Sequence, residues 1–242
     1  MEMMGIQPDV VAFNAVLHST RHAAQWRCAL ETLQRFEAAG YAPDIISISS
    51  VLGALNRARE KEAKDREGAA RLDQKIDTVF ENCLRQRPPV LFGPPCLDTT
   101  YEIDLTSLPF AVARAAIRWA MRRILHEEGI LRRPVAVPVD DGEWYAGDSL
   151  RSGVQDLVFI VGVGVAHTSR DARRKAIARL DESDNDDPWA NRKHASLREY
   201  VLAVLRDEFG LPAEVPGQYP GTIAVLERDL KTWINQQPRD DA

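Results

Sequence analysis

Few residues in this sequence have types and spacings that suggest chemistry. His167, Ser169 and Asp171 supply the groups of a nucleophilic triad. A triad is defined by geometry, however, and these three fall within one irregular segment. Gly162-Val163-Gly164 follows an apolar run, as phosphate-binding loops do. It lacks the third glycine of a dinucleotide loop and the lysine of a phosphate loop, so a strand-ending turn accounts for it. His126, His167 and His194 show no HxxxH or CxxC spacing, so they imply no metal site, and nothing in the sequence implies a cofactor. Arg114, Arg118 and Arg122 recur every four residues along one predicted helix, with Arg123 beside them. Such a stripe suits phosphate contact and equally suits a solvated helix face.

The elements that must carry these residues are bounded by composition. The chain has 242 residues, 45% of them hydrophobic, which suits one or two domains with an ordinary core. Its 31 Lys and Arg against 36 Asp and Glu give a net charge of −5, so any nucleic-acid contact must rest on a local basic track. No apolar run reaches the roughly 18 residues of a membrane helix, and no membrane partner is expected. Met1-Glu2-Met3-Met4 shows no basic n-region, apolar h-region or Arg-rich amphipathic pattern of the kind expected in a targeting leader. Cys28, Cys83 and Cys96 form no metal-ligand spacing and are expected as free thiols.

The chain is organised around an internal repeat. Gly5-Ile6-Gln7-Pro8-Asp9-Val10-Val11-Ala12-Phe13-Asn14 returns 35 residues later as Gly40-Tyr41-Ala42-Pro43-Asp44-Ile45-Ile46-Ser47-Ile48-Ser49, and Leu17 and Leu52 keep the same offset. Glycine can end one helix in a left-handed cap, proline prevents its continuation, and aspartate caps the next. Stacked helix pairs follow. Phe13, Val16, Leu17 and Thr20 make one predicted apolar face; Trp26, Ala29, Leu30, Leu33 and Phe36 make the next. The mixed-charge run from Asn56 to Glu67 reads as solvated, and Leu72, Ile76, Val79, Phe80 and Cys83 supply a delayed partner helix.

Val10 to Asp44 resembles one complete pentatricopeptide repeat, with the tail of another before it and a degenerate one after it. The chain is therefore expected to begin inside an array. This family of α-solenoids reads single-stranded RNA at about one base per repeat. The resemblance implies that Asn14 and Asp44 are base-reading residues, that Val11 and Ile46 sandwich the base, and that Ser49 holds the next reading position. An Asn/Asp combination implies a pyrimidine, with uracil preferred. The residues alone also suit ordinary cap and turn roles.

Four prolines between Pro88 and Pro95 mark a domain boundary, so residues 1–87 are expected as helical repeats, 88–99 as linker and 100–236 as a second domain, followed by a tail. That domain reads as a two-layer α/β unit in the order βαβαββ. Its strands are predicted at Tyr101–Leu105, Asp156–Val161, Ala213–Val215 and Gly221–Leu226. Its helices are predicted from about Pro109 to Glu128 and from Ser196, whose capping box pairs it with Glu199. A terminal helix follows from Arg228 to Asn235. The charged segment from His167 to Lys193 is expected at the surface.

This second domain resembles the small MutS-related (Smr) domain, which binds nucleic acid and in some members cleaves it. The family's Asp-x-His-Gly motif stands here as Asp104-Leu105-Thr106-Ser107. Its Thr-Gly-x-Gly motif stands as Val161-Gly162-Val163-Gly164, with His167 one residue out of register. The resemblance implies Asp104 and His167 as catalytic residues if the domain is active. Thr106, in the histidine's place, lacks a group that titrates near neutrality. The resulting expectation is an RNA-binding protein of α-solenoid plus α/β architecture. It would act on single-stranded organellar RNA, in plastid or mitochondrion, in processing, stability or translation, with other processing factors as possible partners. Arg114, Arg118 and Arg122 are its candidates for the RNA backbone. An RNA endonuclease and a protein-interaction scaffold are the alternatives.

Overall fold

The structure is a computed structural model that describes residues 8–85, 102–106, 108–131, 156–162, 196–216 and 221–238. The chain divides into two compact units, Met1–Leu91 and Phe92–Ala242. The described residues are mostly helical and include one small three-stranded sheet.

In the first unit, helix α1 spans Val10–Ala23, α2 Trp26–Ala38, α3 Ile45–Lys61 and α4 Arg66–Arg85. The repeated turn chemistry sets their boundaries. Asp9 caps α1 by accepting from the Ala12 N–H at 2.7 Å, and Asp44 caps α3 through a capping box with Ser47. Between them, Gly40 adopts φ +85° just beyond α2, where a side chain would be strained. The Gly40 and Tyr41 N–H groups donate back to the carbonyls of Glu37 and Phe36. Phe13 near the start of α1 meets Phe36 near the end of α2, with centroids 5.2 Å apart, so these helices run antiparallel. Tyr41, in the link to α3, completes the cluster at 6.1 Å from Phe13 and 5.5 Å from Phe36. Each such aromatic contact adds about 0.5–1.5 kcal/mol beyond area burial.

Helix α3 packs on α1, α2 and α4, and its middle, Ser47 through Asn56, is buried. The charged run is divided: α3 continues through it to Lys61, burying Asn56 and Ala58, while residues 60–67 are exposed. Leu72, Ile76, Val79, Phe80 and Cys83 form the buried stripe of α4. Two expectations need correction. Val16 is 45% exposed, because the inward stripe of α1 steps through Phe13, Leu17 and Thr20 and leaves position 16 at its edge. Trp26, expected in the core, is only half-buried at the start of α2, with Arg27 and Lys75 within 5.0 and 5.3 Å of its ring centroid.

In the second unit, β1 spans Glu102–Asp104, α5 Phe110–Glu127, β2 Leu157–Ile160, α6 Leu197–Phe209, β3 Thr222–Val225 and α7 Glu227–Gln236. Strand β2 lies centrally, parallel to β1 with Ile103 opposite Phe159, and antiparallel to β3 with Phe159 opposite Ile223. Those three residues are fully buried. The segment expected as a strand at Ala213–Val215 contributes a single bridge, Glu214 to Ala224. Helix α6 begins at the Ser196–Glu199 capping box and ends at Gly210, at φ +63°. It packs on α5 and touches β3, and Phe110 stacks on Tyr200 at 4.7 Å. Leu230, Trp233 and Ile234 form the buried face of α7.

Candidate nucleic-acid interface

The aromatic cluster and the two aspartate caps bring the starts of α1 and α3 together. There, the Asn14 side-chain amide donates from Nδ2 to Asp44 Oδ2 at 3.4 Å, across 30 residues of sequence. The other carboxylate oxygen, Oδ1, accepts from the Ser47 N–H at 2.7 Å and the Ser47 hydroxyl at 2.9 Å. Asp44 thus caps a helix with one oxygen and orients Asn14 with the other. Asn14 Oδ1 is shielded from solvent and has no hydrogen-bond partner, a condition that typically costs about 1–3 kcal/mol. Val11, one turn before Asn14, is 74% exposed; Ile46 is half-buried. An exposed aliphatic group beside an oriented amide can contact a planar ring and discriminate its edge.

Ser49 is placed differently. It occupies the repeat position equivalent to Asn14 but is only 3% exposed. The packed middle of α3 covers it, so it is not presented to a base.

The arginine stripe on α5 also turns inward. Arg114 is 4% exposed and forms an ion pair through Nε with Glu208 of α6. Arg118 reaches the other Glu208 oxygen at 3.5 Å, with both side chains 15% exposed. Arg122 is half-buried. The Glu208 carboxylate raises the Arg114 pKa against an opposing burial effect that is the largest single influence. Neither expectation, phosphate contact or solvated face, describes Arg114. Its charge is committed to holding α5 against α6.

At the sheet, Asp104 is exposed at the end of β1 and Oδ1 accepts from the Thr106 N–H at 2.8 Å. It closes a local turn. Gly162, from the second degraded motif, has a role in backbone packing. A Cβ built on it would stand 2.7 Å from Gly221 Cα, and the Val161 and Gly162 N–H groups both donate to the Gly221 carbonyl, at 2.8 and 3.0 Å. His167 lies outside the described residues, as do Ser169, Asp171, His194, Cys96, the proline-rich linker and the charged segment to Lys193. Among the described residues, no three His, Cys, Asp or Glu side chains form a metal-holding group, and no helix is long and apolar enough to cross a membrane.

One cluster was missed in the sequence. His18 and His22 do have HxxxH spacing, and their Nε2 atoms lie 3.0 Å apart. Arg57 of α3 donates to the Arg21 carbonyl at 3.2 Å and stands 3.5 Å from His22 Nδ1. The His18 pKa is lowered, first by burial and then by the charges of His22, Arg21 and Arg57. Arg21 is itself buried, and its side chain crosses Gly53, where a Cβ would meet it at 2.7 Å. The signal available in sequence was the pair of histidines one helical turn apart.

No family model, curated protein or solved structure matches the chain.

Proposed function

We propose that the chain is a sequence-selective binder of single-stranded RNA, its first unit a pentatricopeptide-type array and its second an Smr-related domain without the usual chemistry. The observation that carries this reading is the Asn14–Asp44 pair beside exposed Val11. Two residues 30 apart, each at a helix start, meet where the repeat resemblance puts the two base-reading side chains. Reading a pyrimidine would require the Asn14 side chain to turn outward. Oδ1 would then accept a ring N–H while Nδ2 donates to a ring carbonyl. That movement relieves an acceptor now buried without a donor. Affinity would come from apolar contact and basic residues, specificity from the amide. By the same resemblance, the target would be an organellar transcript, bound for its processing, stability or translation.

The test is fluorescence anisotropy with labelled RNAs that differ at one base, at several salt concentrations, with the first unit set at the end of a longer array. Asn14→Ala should cost roughly 1–3 kcal/mol against the preferred base and flatten selectivity there. An unchanged base profile would make the repeat architectural and favour a protein-interaction scaffold.

A further inference from the structure

We propose that His18 and His22 form a two-imidazole chelating site for a divalent copper or nickel ion on α1. The 3.0 Å between the two Nε2 atoms determines the bite. With metal–nitrogen bonds of about 2.0–2.1 Å, the two nitrogens would subtend roughly 91–97° at the ion. That is close to the cis angle of square-planar or octahedral sites and well below the tetrahedral angle, so it suits Cu²⁺ or Ni²⁺. Imidazole is the ligand class these ions favour. His22 is exposed and His18 half-buried, so water can complete the coordination, and the rings already stand edge to face at 4.6 Å.

The proton arrangement predicts how the site is regulated. Arg57 has only donors, so its contact with His22 Nδ1 makes that nitrogen the acceptor. With Nδ1 accepting, His22 would carry its proton on Nε2 and donate it to Nε2 of His18. In that state the lone pair of His18 Nε2 is taken up by the His22 proton, and His22 must transfer that proton to Nδ1 before both Nε2 atoms can bind metal. Arg57 opposes that tautomer and adds a positive charge, but it keeps its separate bond to the Arg21 carbonyl if it releases the ring. It acts as a brake on metal binding. In Arg57→Gln the charge is gone, and the amide carbonyl can accept from Nδ1–H, the outer partner that metal-binding histidines ordinarily use.

The experiment titrates the full chain with Cu²⁺ or Ni²⁺ alone, followed by calorimetry, with electron paramagnetic resonance on the copper form. The expected result is one site whose spectrum shows two coordinated imidazole nitrogens. His18→Ala should weaken it about tenfold or more, a loss at least as large as that from an outer-partner mutation. H22A/A23H retains the histidine count but breaks the one-turn spacing, and should weaken it equally. R57Q should tighten it several-fold. Circular dichroism checks that each variant keeps its helices; both histidines have solvent contact, so no core is disturbed. Wild-type affinity in both His18→Ala and H22A/A23H would overturn the proposal, as would a chain that takes up neither ion.

Discussion

Arg114 and Glu208, 94 residues apart in the sequence, form a largely buried ion pair that joins α5 to α6. Removing one partner of such a pair strands the other, at a typical cost of about 3–5 kcal/mol. Glu208→Ala should lower the second unit's stability by that order in urea denaturation. R114M/E208L should recover most of the loss, since Arg118, at the edge of the pair, can turn to water. On the proposed RNA-binding function, Arg114→Met should keep the wild-type salt slope, whereas a phosphate contact would lower it by about one.

Asp44 has two separable roles. Asp44→Ala should cost roughly 0.5–2 kcal/mol of first-unit stability through the lost cap. Asp44→Asn retains a good capping oxygen and should stay within a few tenths of a kcal/mol of wild type. It removes the carboxylate that receives the Asn14 amide, so on the proposed function base preference should change while the melting curve does not. Parallel thermal melts and RNA selectivity profiles on the two variants separate the roles.

Gly162→Ala should destabilise the second unit by about 1–3 kcal/mol, the usual scale of overpacking, because the new methyl meets Gly221 backbone that cannot yield easily. Gly221→Ala, whose Cβ would stand 3.3 Å from Gly162 Cα, should be milder. Equal effects from the two in denaturant unfolding would contradict this account.

Burial pushes the Cys83 thiol up from 9.0 to about 12; the thiol also donates to the Val79 carbonyl at 3.0 Å. The folded state holds this proton more tightly than the unfolded chain. Its contribution to stability is therefore complete below about pH 9 and is lost as pH rises through about 12. Stability of wild type minus that of Cys83→Val should fall over that window. Under native conditions at pH 8, a maleimide read by mass spectrometry should modify half-exposed Cys28 well before Cys83.

Thr106 lacks a neutral-range proton acceptor, and Asp104 is engaged in its own turn. Purified protein should leave single-stranded and structured RNA intact in magnesium or manganese. Cleavage that disappears in Asp104→Ala would restore the endonuclease reading.

Local chemistry made the element boundaries legible. Asp9, Asp44, Gly40, Ser196, Glu199 and Gly210 act on backbone groups within a few residues of themselves, so each cap can be read without knowing what packs nearby. The apolar stripe of α4 was legible for the same reason, since its period needs only one helix. The parallel pairing of β1 and β2 came with the order of elements; the reduction of the Ala213–Val215 segment to one bridge did not. Tertiary structure alone decided which way the polar faces turned. Arg114, Arg118 and Arg122 form the same stripe whether they meet water, phosphate or a carboxylate, and only the packing of α6 supplied Glu208. Ser49 repeats Asn14 in sequence, but packed helices cover one and only half-cover the other. Gly162 looked like part of a loop motif until Gly221 lay against it, and the His18–His22 pair gained its proton order only from Arg57 on a neighbouring helix. In each case spacing defined a surface, and a partner distant in sequence defined its use.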